Sequence, residues 1–104
     1  MAVSQGRSQF QGLFSEMWAV SETVDFANAA TGSGTFASAD VTVPGVALGD
    51  IVMGISAGVD TVDTVIAGAV TAANTVTLTL LNNTAGAVNL AAATVDFIVV
   101  RPAF

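Results

Sequence analysis

The chain has no cysteine and no histidine, and its only basic residues are Arg7 and Arg101, so it has no lysine either. Each absence removes a class of chemistry. Without His or Cys there is no Ser-His or Cys-His nucleophile, and zinc lacks its usual ligands. Without Lys there is neither a Schiff base nor a lysine-activated serine. Gly32-Ser33-Gly34 is no phosphate loop, because neither a helix nor a lysine follows it. Charge is scarce as well. Two arginines stand against eight acids, for a net charge of −6. Nucleic-acid binding needs clustered cations to neutralise phosphates, so none is expected. An anionic membrane surface is disfavoured for the same reason. No apolar run reaches the ~18 residues of a spanning helix, and the start lacks the pattern of a signal peptide.

What is present is apolar and small. Apolar residues make up 53% of the 104 positions and charged residues 10%, against about 25% charged in an ordinary domain. That much neutral surface implies cover by partners. The length is that of one domain, of modest stability unless subunits add to it. Alanine, valine and threonine dominate. Val and Thr are β-branched and suit a pleated, half-buried surface.

Residues 1–21 differ from the rest. Phe10, Leu13, Phe14, Met17 and Trp18 fall at i, i+3, i+4, i+7 and i+8, the spacing of one helical face. A helix this short, with Gly12 inside it, is marginal alone and needs something to pack on. It either folds back over its own domain or acts as an arm that grips a neighbour; in a β domain the arm is the preferred reading. A sugar-stacking role for Trp18, Phe10 and Phe14 is weaker, because few polar groups stand nearby.

From Glu22 the period becomes two. Strands are expected at 23–26, 36–43, 50–55, 65–71, 75–81 and 94–101, with Pro44-Gly45, Ala72-Ala73-Asn74 and residues 82–86 as turns. Val76, Leu78 and Leu80 face one way, and Thr75, Thr77 and Thr79 the other. In the last strand Val95, Phe97 and Val99 point to the core. Ile98 and Val100 then form an apolar stripe on the opposite face, which motivates an intersubunit contact or cover by the N-terminal segment. Short strands with turn signals every 8–12 residues indicate a sandwich or barrel.

The remaining candidates for chemistry are carboxylates. Asp60 and Asp63 flank a loop where a hard cation would find oxygens, but two acids without further spaced ligands read as a solvated loop. Asp25 and Asp96 would suggest acid/base work only if they met across the sheets. Asp50 anchors a turn. Asn82-Asn83-Thr84 matches a glycosylation sequon, which matters only in a eukaryotic secretory setting.

One pattern covers most of residues 23–101. Thr23-Val24-Asp25-Phe26 leads through small residues to Ala39-Asp40-Val41-Thr42-Val43-Pro44-Gly45-Val46-Ala47-Leu48-Gly49-Asp50. Val70-Thr71-Ala72-Ala73-Asn74-Thr75-Val76-Thr77-Leu78 and Phe97-Ile98-Val99-Val100-Arg101 follow. This strand, V-P-G-x-x-x-G-D turn and strand resembles the capsid decoration, or cement, proteins of tailed phages. The resemblance implies a β-sandwich or barrel on the outer surface of the virion capsid, commonly a homotrimer, bound to the major capsid protein. The N-terminal segment departs from the pattern.

The expectation is an all-β protein: a small antiparallel β-sandwich or barrel of about six or seven strands, with an N-terminal arm or short helix. The arm is 1–21 and the β domain 22–104. Phe10, Leu13, Phe14, Met17, Trp18, Ile98 and Val100 form the subunit or capsid interface. No catalysis, metal, cofactor, nucleic acid or membrane is expected. The alternative is another virion part, such as a head-fibre base, tail component or receptor-binding module.

Overall fold

The computed structural model describes residues 2–6, 13–26, 35–59, 64–82 and 92–103. Among the described residues seven strands run in chain order: β1 (Ala2–Gly6), β2 (Phe14–Val24), β3 (Thr35–Thr42), β4 (Ile51–Ala57), β5 (Val65–Ala72), β6 (Thr75–Asn82) and β7 (Ala93–Pro102). They form two antiparallel sheets, a four-stranded β1-β2-β7-β4 and a three-stranded β3-β6-β5. The all-β sandwich expected from the period-two pattern is the observed fold.

Alternation builds the core. Trp18, Val20 and Val24 of β2 and Val95, Phe97 and Val99 of β7 face Val41 of β3, Val76, Leu78 and Leu80 of β6 and Val70 of β5. Each large side chain taken wholly out of water, such as Trp18, Phe97 or Leu78, is worth about 1.5–3 kcal/mol against exposure. The β5–β6 hairpin turns on Ala73-Asn74, and Asn74 takes φ 63° as its left-handed tolerance allows.

One expectation is corrected. Among the described residues there is no helix, and residues 14–18 lie in β2. This strand pairs with β1 on one side and with β7 along its length on the other. The helical spacing of Leu13, Phe14, Met17 and Trp18 coexists with a second, alternating pattern through Trp18, Val20 and Val24. The sheet ladder and a buried tryptophan outweigh the marginal stability of a short helix. The boundary drawn between 21 and 22 falls inside β2, so residues 14–21 belong to the sheet. Phe10 lies outside the described residues.

The β4–β7 register fixes a bulge. Met53 pairs with Ile98 and Ser56 with Asp96, so Gly54 and Ile55 together oppose Phe97. Gly54 has φ +66°, which absorbs the extra residue. The bulge keeps Ile55 against the core while Met53 faces out.

Candidate interaction surfaces

Arg101 closes one end of the sandwich. It continues the inward row of β7 beyond Val99, and its guanidinium lies 5.2 Å from the Trp18 ring centroid, a cation–π contact. Nε and Nη2 donate to Asp50 Oδ1 and Oδ2 at 3.0 and 2.9 Å, Nη2 also donates to the Gly45 carbonyl at 2.9 Å, and Nη1 donates to Glu16 at 3.4 Å. Asp50 Oδ2 accepts the Ala47 N–H at 2.9 Å. Burial pushes the Asp50 carboxyl up, but the bonds from Arg101 and Ala47 and the Arg101 charge outweigh it and hold the group below its ordinary value. The V-P-G-x-x-x-G-D stretch is thus a stapled loop between β3 and β4. The Trp18 Nε1–H is buried and finds no acceptor among the described residues.

The outer face of the four-stranded sheet is where apolar groups meet water. Register aligns Met17, Val100 and Ile51 in one rung, Ala19, Ile98 and Met53 in the next, and Ser21, Asp96 and Ser56 in a third. Ile51, Met53 and Ile98 are 45%, 46% and 36% exposed. Leu13 and Leu48, both exposed, precede β2 and β4 at the end of the sheet where β7 finishes. Between Ala19, Gly54 and Ile98 the missing Gly54 side chain leaves a groove of about 380 Å³, edged by Ser21 and Asp96. It is wide enough to seat an apolar side chain from outside.

Of the residues expected at the interface, Ile98 faces outward as anticipated. Val100 shares its face, in the rung of Met17 and Ile51, but is only 1% exposed, so it does not contact solvent. Met17 and Phe14 are half-buried and Leu13 is exposed. Trp18 points the other way, wholly inside the core, and is corrected from anchor to core residue. Ile51, Met53 and Leu48 were missed. Residues 50–55 are apolar nearly throughout, so alternation gave no face there, and only the pairing of β4 with β7 reveals one.

The acids do not assemble a site. Asp96 pairs with Ser21, whereas Asp25 follows Val24, whose partner is Ala93. They lie several rungs apart along one sheet and do not meet across the sandwich. Glu22, Asp25 and Asp40 surround an opening of about 510 Å³ between the end of β2 and the edge of β3. There Asp40 accepts a 2.7 Å hydrogen bond from Thr77 Oγ1, itself 2.8 Å from Thr71 Oγ1. Charges at such an edge oppose strand addition. Among the described residues no three His, Cys, Asp or Glu side chains are grouped to hold a metal, and Asp60, Asp63 and Asn83 lie outside them.

The chain matches no protein-family model, no curated protein and no solved structure.

Proposed function

We propose that this chain is a non-catalytic structural module that docks on another protein through the outer face of its four-stranded sheet. The observation that carries the reading is the contiguous exposed set Ile51, Met53 and Ile98 beside the Gly54 groove. Solvent-facing sheet positions are ordinarily polar, and a cluster of this kind marks an interaction site. On the second sheet Ser38, Asp40, Thr75, Thr77 and Thr79 face outward, with Val65 and Leu81 as an exposed apolar pair.

The finer reading is a capsid decoration protein on the outer surface of a tailed-phage head, bound to the major capsid protein. Its support is the resemblance over residues 23–101, the sandwich fold, the acidity that disfavours nucleic acid, and a residue set without His, Cys or Lys. Many weak apolar contacts repeated over a symmetric shell hold by avidity.

The test is cosedimentation with undecorated heads of the virus that encodes the chain. Removing residues 1–20 is unsuitable, since that deletes β1 and most of β2. Met53→Asp with Ile98→Asp changes only outward positions. The pair should keep the circular dichroism of the native fold and lose head binding at least tenfold. Undiminished binding by the folded variant would discard the docking face, and failure of the native chain to bind any head would discard the virion reading.

A further inference from the structure

The outer face of the four-stranded sheet changes character along its strands. Its rungs run Met17, Val100 and Ile51, then Ala19, Ile98 and Met53, then Ser21, Asp96 and Ser56. Asp96 is the one charged side chain among these positions, and it is exposed. The Gly54 groove lies where the apolar rung meets the polar one, with Ala19 and Ile98 as its apolar sides and Asp96 on its rim. Backbone conformation, rather than crowding, keeps position 54 bare. An added Cβ would find Ile98 Cδ1 no nearer than 3.9 Å, but φ is +66°, which suits glycine.

The fold keeps its own cation away from this carboxylate. Arg101, the one basic side chain among the described residues, stands about 17 Å further along β7 at ~3.4 Å per residue. Its donors go to Asp50, Glu16 and the Gly45 carbonyl. The charge of Asp96 is therefore presented to whatever covers the groove.

We propose that the occupant of this face is a protein segment carrying a large aliphatic side chain and a basic one on the same side, the aliphatic group seated in the Gly54 groove and the cation on Asp96. The inference rests on the docking role proposed above and names the chemistry of the partner. Charge selects it. A chain of net charge −6 repels a second copy of itself and attracts a surface of opposite sign. On this face the attraction has one address, because the other outward positions are neutral. Covering Asp96 with a neutral partner would desolvate a carboxylate without return, whereas a cation offsets that cost. Ser21 and Ser56 share its rung and offer hydroxyl oxygens to the remaining donors of a guanidinium. A nucleic acid or an anionic membrane would set phosphates against the same carboxylate.

Geometry sets the spacing. Successive outward positions on a strand are about 7 Å apart. A partner strand supplies the aliphatic and basic groups at i and i+2, and a partner helix at i and i+3 or i+4.

The probe is the peptide acetyl-Thr-Leu-Thr-Arg-Thr-amide, titrated in low salt into the isotope-labelled chain and followed by amide NMR. The signals of Ser21, Gly54, Asp96 and Ile98 should move together and saturate. Replacing the peptide's Arg by Glu should weaken binding about threefold or more, and replacing its Leu by Ser should remove it. Asp96→Asn should bind the Arg and Glu peptides alike, and added salt should narrow the native chain's preference. Equal affinity of the native chain for those two peptides overturns the role of the cation, as does an Asp96→Asn chain that keeps the preference. Signals that stay still with every peptide overturn the groove as the seat. Signals that move when the chain alone is concentrated identify a second copy as the occupant and overturn the proposal. The docking role is read separately on heads. Heads that release Met53→Asp with Ile98→Asp but hold Asp96→Asn as tightly as the native chain leave the docking face standing and overturn its basic partner.

Discussion

Arg101 holds Asp50 through two parallel hydrogen bonds, Nε to Oδ1 at 3.0 Å and Nη2 to Oδ2 at 2.9 Å. The paired geometry gives direction as well as charge. It ties the end of β7 to the start of β4 at a loop otherwise held by its own turns and by Asn74 of the β5–β6 hairpin. Because the guanidinium also covers Trp18, the staple seals the edge of the core.

The staple makes stability depend on acid. The folded-state value of Asp50 is depressed, so its contribution is complete above the unfolded value of about 3.9 and is lost as pH falls through the lower folded value. Asp50→Asn should cost about 1–3 kcal/mol near neutral pH, toward the low end because Arg101 remains partly in water. Urea melts of the two proteins at a series of pH values give the readout. The difference between them should shrink below about pH 4, and a gap that stays constant to the lowest pH would contradict the role of the pair.

Two glycines should answer the same substitution for different reasons. A Cβ on Gly68 would stand 2.9 Å from Val52 Cγ1, 3.0 Å from Leu78 Cδ2 and 3.2 Å from Ile55 Cδ1. Gly68 is where β5 approaches β4 of the opposite sheet, so Gly68→Ala overpacks the core at about 1–3 kcal/mol. At Gly54 the nearest atom is Ile98 Cδ1 at 3.9 Å, but φ is +66°. Gly54→Ala therefore carries backbone strain of about 1–2 kcal/mol without a clash, and narrows the outer groove. Thermal melts should rank both below the native chain, and binding of an environment-sensitive apolar dye should fall for the folded Gly54 variant alone.

The sheets were legible wherever alternation was clean. Val76, Leu78 and Leu80 against Thr75, Thr77 and Thr79 gave β6 and its faces directly, and Val95, Phe97 and Val99 did so for β7. Residues 14–18 misled because they hold three of the five large apolar groups of 10–18 that satisfy helical spacing, and only long-range pairing with β7 decides otherwise. The docking face was half visible. Ile98 could be placed by parity, but Ile51 and Met53 lie in an apolar run whose register depends on a bulge that local pattern does not announce. Large aromatics concentrate binding energy, which points to Trp18 as an anchor, yet the same size makes them core residues when a second sheet covers them.

Asn74 separates conformation from contact in the stapled end. Its φ of 63° suits Asn or Gly, and its Oδ1 accepts the Gly45 N–H at 2.8 Å. Its backbone also bonds both ways, donating to the Val46 carbonyl and accepting from the Val43 N–H, each at 2.9 Å. Asn74→Gly keeps the turn and those backbone bonds and loses only the side-chain acceptor, at about 0.5–1.5 kcal/mol. Asn74→Ala loses the acceptor and adds left-handed strain of about 1–2 kcal/mol. Denaturant melts should therefore order the proteins native, Gly, Ala from most to least stable. An alanine variant as stable as the glycine one would show that the hairpin can change its turn, and that the loop from Pro44 to Asp50 is held by Arg101 without it.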